Sequence, residues 1–144
     1  MENSIPKEIA KFLNEQTCVN IACIDAENQP YCFTSFFAFD EKNKCIYFKS
    51  SDNTHHAQLL TENGISAGTV LEDRLNKAFL KGLQFQAFVR KSNADDSLAS
   101  KIYHKKFPMA LVVPGDIWVV EFKVMKFTDN ALGFGHKIHW KLED

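Results

Sequence analysis

The sequence predicts a mainly β protein, a six-stranded antiparallel barrel carrying short α-helices. Six apolar segments of strand length are each bounded by turn-forming residues. Helical patterns are few and short, so there is no repeating strand–helix–strand unit to build a doubly wound parallel sheet. Thirteen phenylalanines in 144 residues supply an unusual load of large apolar rings, which calls for a dense barrel core or a surface hidden by a partner.

The elements follow in order. Ser4 and Pro6 open a short amphipathic helix in which Ile5, Ile9, Phe12 and Leu13 share one face, a lid for the core. "CVNIACI" (18–24), "YCFTSFFAFD" (31–40) and "CIYFKS" (45–50) read as a three-strand meander. The second of these is apolar on both parities: Phe33, Phe37 and Phe39 on one face, Phe36 and Ala38 on the other. Something must therefore cover its outer side, and a second subunit would do so. Residues 54–63 make a short helix that Gly64 stops as a C-terminal glycine. "ISAGTVL" (65–71) is the fourth strand and "KAFLKGLQFQAFVRK" (77–91) the fifth, with Gly82 marking a bulge or a close backbone approach. "ADDSLASKIYHKKFP" is a further core helix, capped by Asn93 or Asp95, with Leu98 and Ile102 inward and Pro108 ending it. In the last strand, "IWVVEFKVMKFT", alternation puts Trp118, Val120, Phe122 and Val124 on one face.

Residues 1–144 are read as one domain, a length that can bury a core without disulfides or metal. A formal charge of −1 and a pI near 6.5 give no broad attraction to nucleic acid or anionic lipid. Lys105 and Lys106 read as a solvated helix end. The N-terminal stretch lacks the apolar core of a signal peptide, and no run approaches the ~20 apolar residues of a membrane helix, so a cytoplasmic location is expected. The cysteines, spaced C-x4-C-x8-C-x12-C, lack the paired short spacings of zinc sites and read as buried reduced thiols. No G-x-S-x-G, H-E-x-x-H, Walker or G-x-G-x-x-G pattern occurs.

The stretch richest in chemistry is "YFKSSDNTHHAQLL" (47–60). One reading is purely structural: a strand ends, Ser, Asp and Asn turn the chain, and Thr54 or Asn53 caps the next helix. The other is an anion site. A helix starting near Thr54 offers unpaired amides and the positive end of its dipole. Lys49 can add a charge, Ser50 and Thr54 can donate hydroxyl bonds, and His55 and His56 can offer ring N–H groups. Adjacent histidines diverge by about 100° on a helix and cannot share one metal, so no metal site is read here.

The order of these pieces resembles the FMN-binding split-barrel family, the pyridoxamine 5'-phosphate oxidase-like proteins. The resemblance runs over residues 12–90: Pro30-Tyr31 opening a strand, a hairpin, Ile46-Tyr47-Phe48 leading into Lys49–His56, the "ENG" helix end, and a later strand with Gly82. It implies a six-stranded antiparallel split barrel that binds FMN between the subunits of a homodimer, the phosphate held at the start of the 54–63 helix. Thr54, His55 and His56 take the place of the family's Ser-Arg-Lys phosphate grip, and Lys49 and Ser50 that of its strand-end donors. Histidine in place of arginine and lysine lowers the positive charge there at pH 7. Phe33, Thr34 and Ser35 would run beside the flavin ring. Lys77 falls where the family often carries a glutamine near the ring; it is either a cation tuning the flavin or an exposed strand-start lysine.

On this resemblance the chain is expected to act as a flavin-dependent oxidoreductase on a small substrate. Vitamin B6 oxidation is not expected, because "KIYHKKFPMAL" keeps Tyr103 without the Arg and Ser that hold the substrate phosphate in the oxidases proper. The alternative is a non-catalytic barrel that stores haem or flavin, with His136 or His139 of the tail as an axial ligand. In "DNALGFGHKIHW" the glycines around Phe134 allow a sharp turn. After that turn, Trp140 either reaches a flavin across the dimer or pins the tail onto the barrel.

Overall fold

In a computed structural model, which describes residues 3–133 and 135–143, the chain forms a single curled antiparallel sheet, a half-barrel. Its strands are β1 (Cys18–Ile24), β2 (Pro30–Phe36), β3 (Ala38–Asp40), β4 (Cys45–Ser50), β5 (Ile65–Leu71), β6 (Lys81–Lys91), β7 (Asp116–Asp129) and β8 (Lys137–Lys141). The helices are α1 (Lys7–Glu15), α2 (His55–Glu62) and α3 (Ala99–Lys106), with a 3₁₀ turn at Pro108–Val112. The sheet order is β2-β1-β5-β6-β7-β4-β3, and β8 also pairs with β7. Among the described residues no helix is long and apolar enough to cross a membrane.

The expected six strands become eight for two reasons. The predicted 31–40 strand breaks at Phe37, whose amide donates to Thr17 O at 3.0 Å while its ring is fully buried. The pieces either side, β2 and β3, form the two ends of the sheet order, joined in the chain by that one residue. Among the described residues β2 pairs only with β1, and β3 only with β4, so the sheet curls back on itself without closing. That gap is the split. The eighth strand comes from the tail, which pairs with β7 from Val124 to Thr128 while β4 occupies the same edge of β7 further back. The glycine turn expected around Phe134 is present at its flanks: Gly133 and Gly135 both take positive φ, 137° and 78°, and the His136 amide donates to Gly133 O at 2.9 Å, while Phe134 itself lies outside the described residues.

Strand parity changes midway along β7. Register with β6 jumps from Gln86↔Val124 to Ala87↔Phe122, leaving Lys123 as the extra residue of a bulge. One extra residue reverses which side chains face inward. Trp118, Val120 and Phe122 are buried before the bulge, Met125 and Phe127 after it, and Val124 turns out of the core face it was expected to share. Gly82 itself pairs regularly with Leu71 and Thr128 and marks the close approach rather than the bulge, since a Cβ there would lie 3.3 Å from the Leu71 side chain and 3.4 Å from Val70 O; the bulge falls opposite Gln86 and Ala87.

Other expectations also shift. β6 begins at Lys81, and residues 77–80 belong to an exposed loop. α2 ends at Glu62 with Asn63 as its C-cap; Gly64 is required for close approach, since a Cβ there would meet Val89 O at 2.4 Å. α3 is shorter than predicted and starts from Leu98 without a side-chain cap. Neither expected cap reaches its first turn: the Asn93 side chain accepts the Asp95 amide at 2.9 Å, the adjacent Asp96 is held by Arg90 at 2.7 and 2.9 Å, and Leu98, expected inward, is 55% exposed.

The main core fills the barrel, with α1 laid over one end through Ile9, Phe12 and Leu13. A second cluster lies outside it, where Ala99 and Tyr103 of α3 cover Ala38, Cys45, Tyr47, Ile117 and Val119. This explains the doubly apolar 31–40 segment. Much of its outer side is covered by α3 of the same chain, while Phe36 stays 53% exposed. Of the four cysteines, Cys23 and Cys45 are buried, but Cys18 and Cys32 are exposed, against expectation, because both sit on outward positions of the β1–β2 hairpin. Burial pushes the Cys45 thiol up to about 12, which keeps it protonated and inert.

Candidate functional site

The split is bordered by the free edge of β2, the end of β4 and the start of α2. Strand β4 ends at Ser50, the chain turns through Ser51–Asn53, and Thr54 caps α2 by accepting the Ala57 amide at 3.2 Å. The Thr54 hydroxyl itself donates to Ser51 O at 3.0 Å. Ser50 Oγ lies 2.7 Å from His56 Nε2 and 3.3 Å from Thr54 Oγ1. The His56 ring stacks on Phe33 of β2, centroids 3.8 Å apart and planes within 6°. Helix mouth and free strand edge are thus in direct contact.

Burial, and secondarily the neighbouring His55, holds the His56 imidazole below its ordinary 6.5. It is neutral at pH 7, and its Nε2 shares one hydrogen bond with the Ser50 hydroxyl. Among the described residues no protein acceptor meets the amides of His55 and His56, the first two of the helix. The mouth therefore offers two free N–H groups and the helix dipole, backed by neutral polar side chains. The acidic Asp52 in the preceding turn has its charge met by Lys91 at 2.6 Å.

The other predicted residues are distributed differently. His55 stands at the exposed surface, edge-on to the Tyr31 ring at 4.8 Å. Lys49 does not join the mouth: its ammonium donates to Ala110 O at 2.8 Å and lies 3.0 Å from His104 Nε2. Neighbouring residues of a strand point to opposite sides, so Ser50 faces α2 while Lys49 faces α3. Thr34 and Ser35 line, together with Lys49, a cleft of about 670 Å³ along the free edge of β2. Its far wall is Phe107–Ala110, and the Phe36 and Phe107 rings stack at 5.2 Å. Lys77, in the exposed loop after β5, contributes to neither region.

The wall supplied by α3 was missed in the sequence. Lys106, read there as part of a solvated helix end, is partly buried. Its ammonium donates to Phe37 O at 2.9 Å and to Gln16 O, and it sits 4.5 Å from the Phe37 ring centroid. Burial lowers its pKa, with Asp73 and Cys18 acting the other way. The available signal was the Tyr103/Lys106/Phe107 spacing, which sets these side chains on one helix face. At the tail, Trp140 is buried and donates to Asn3 O at 3.3 Å, so it pins β8 to the N-terminus; His136 and His139 are exposed. Among the described residues, no cluster of three or more His, Cys, Asp or Glu could hold a metal ion.

Known proteins match this arrangement. The sequence profile described as Pyridoxamine 5'-phosphate oxidase matches residues 5–129. UPF0306 protein YhbP of Salmonella typhi is 36% identical over 133 residues, 92% of this chain and 90% of that protein. Among solved structures, a heme binding protein from Mycobacterium smegmatis aligns with a TM-score of 0.78 at 12% identity, over 95% of this chain and 59% of that one. A FAD-binding protein from Mesorhizobium loti aligns at 0.69 and 13% identity, over 88% and 96%. Identities this low speak for the fold.

Proposed function

This chain belongs to the pyridoxamine 5'-phosphate oxidase-like split-barrel family, and on that premise we propose that it binds FMN as a homodimer and acts as a flavin-dependent oxidoreductase on a small substrate other than vitamin B6. The carrying observation is the contact between the mouth of α2 and the free edge of β2, made by the His56–Phe33 stack. A ligand with a phosphate at one end and a flat ring at the other can reach both.

The residues present fit such a group. The free amides of His55 and His56, with the helix dipole behind them, are donors for a phosphate. Ser50 and Thr54 supply hydroxyls beside them, and a neighbouring anion favours the protonated form of His56. Phe33, Thr34 and Ser35 border the ring, where the second side of β2 leaves backbone groups unpaired by any strand. FMN, when bound, supplies two-electron transfer; the protein orients it and limits water at the split. Phe36, Met109 and Val113, 53%, 81% and 54% exposed around the cleft, give a twin chain an apolar surface to cover.

Heme binding by a neighbour of the same fold raises a storage role for haem as the other reading. Flavin is favoured because, among the described residues, no histidine lines the cleft: both nitrogens of His104 beside it are engaged, Nδ1 2.9 Å from Ser100 O and Nε2 3.0 Å from Lys49 Nζ, and His136 and His139, the tail residues expected as axial ligands, are exposed and do not line it. The absorbance of the purified protein separates the two readings, flavin giving bands near ~375 and ~450 nm and haem a stronger one near ~400 nm. Titration should then show FMN binding at least about tenfold tighter than riboflavin, which lacks the phosphate. Protein that binds neither flavin, or both equally, would overturn the reading.

A further inference from the structure

The cleft beside β2 is electrically one-sided. It is lined by two lysines, Lys49 and Lys106, and by no carboxylate. Among the described residues neither lysine has an acidic partner, whereas Lys81, Arg90 and Lys91 all do. Each ammonium has three N–H groups. Lys49 spends two on Ala110 O and His104 Nε2, and Lys106 two on Gln16 O and Phe37 O. One donor per lysine is left in a cleft whose walls are largely Phe36, Phe107 and Met109.

We propose that this cleft binds a flat aromatic carboxylate, its rings against the Phe36–Phe107 stack and its carboxylate on the remaining N–H groups of Lys49 and Lys106. The inference names the substrate class of the site proposed above; it rests on the flavin reading for chemistry and not for binding. Three features select this class. The volume of about 670 Å³ suits a small-molecule ligand of two or more rings. The stacked rings offer flat apolar area, within 16° of parallel. Two free donors satisfy a monoanion, whereas a phosphate dianion would leave most of its oxygens unpaired in apolar surroundings. An anion at this place also compensates the buried charge of Lys106.

The test titrates the purified protein, with and without added FMN, with 2-naphthoate and with the uncharged 2-naphthalenemethanol. Binding is followed by the NMR signals of the Met109 and Val113 methyl groups. The expected result is saturable naphthoate binding about tenfold or more tighter than the alcohol. That preference is lost in Lys106→Met and in Lys49→Met. Lys49→Met carries the test if the first variant does not fold, because Lys106 also holds two backbone carbonyls together. Equal affinity for acid and alcohol, or naphthoate binding unchanged in Lys49→Met, overturns the proposal. FMN titration of the same preparation reports on the flavin reading separately: FMN bound without naphthoate preference sinks only this inference, and the reverse sinks only that reading.

Discussion

The mouth of α2 and the cleft along β2 begin at adjacent residues, Ser50 and Lys49, yet their charge is balanced in opposite ways. At the mouth, hydroxyls and a neutral imidazole satisfy one another within 2.7–3.3 Å, leaving two amides and a dipole. In the cleft, two full positive charges face apolar walls with only neutral acceptors for partners. The pleat of β4 makes this separation by sending consecutive side chains to opposite faces. Fixed charge and neutral donors that look like a single cluster in the sequence are thereby placed on opposite sides of β4. A phosphate at the mouth would be held by geometry and dipole, and an anion in the cleft by charge.

The strongest way to break this comparison is to remove the ring that joins its two halves. Phe33 stacks on His56 and also lies 5.5 Å from Phe48, so Phe33→Ala loosens both the mouth and the strand edge. The side chain is only half-buried, so the cost should fall below that of a fully buried ring, at about 2–3 kcal/mol in urea denaturation. Phe33→Leu should recover much of it. A loss below ~1 kcal/mol would mean that the contact does not organise the site. Next in size is the cap. Thr54→Ala removes the acceptor of the Ala57 amide and should cost about 1 kcal/mol, with Thr54→Ser close to wild type. An Ala variant as stable as Ser would show that the helix start does not depend on that hydroxyl.

Much of this fold was legible because periodicity and turn chemistry act locally. α1, the β1–β2 and β3–β4 turns, the Thr54 cap and the start of β5 all follow from nearest-neighbour preferences. What was not legible required partners distant in sequence. The break at Phe37 depends on Thr17 and Lys106, and the bulge at Lys123 depends on the register of β6. The site divides the same way. Ser50, Thr54 and His56 come together because they are local, whereas Lys49 is drawn off by His104 and Ala110, more than fifty residues away. Nothing in the composition of "HKKFP" marks Lys106 as a buried cation, because its burial comes from Gln16 and Phe37.

The smallest expected effects are the pH dependences, and they test the electrical contrast most directly. Both His56 and Lys106 have folded pKa values lowered chiefly by burial, so the unfolded chain takes up each proton first as pH falls. For Lys106 the loss of stability develops as pH drops below 10.5 and is complete below its folded pKa, so it is already present at neutrality. Lys106→Met should flatten the alkaline part of the stability profile. For His56 the loss begins below 6.5 and ends at its lower folded pKa, so the mouth is fully stable at pH 7 and weakens on acidification. NMR titration of the ligand-free protein should place His56 below 6.5, and His56→Gln should remove the acid-side slope. Adding FMN should raise the His56 midpoint, because a phosphate near the ring stabilises its proton. A histidine that already titrates at or above 6.5 without ligand would mean that the mouth carries its own charge, and the contrast with the cleft would disappear.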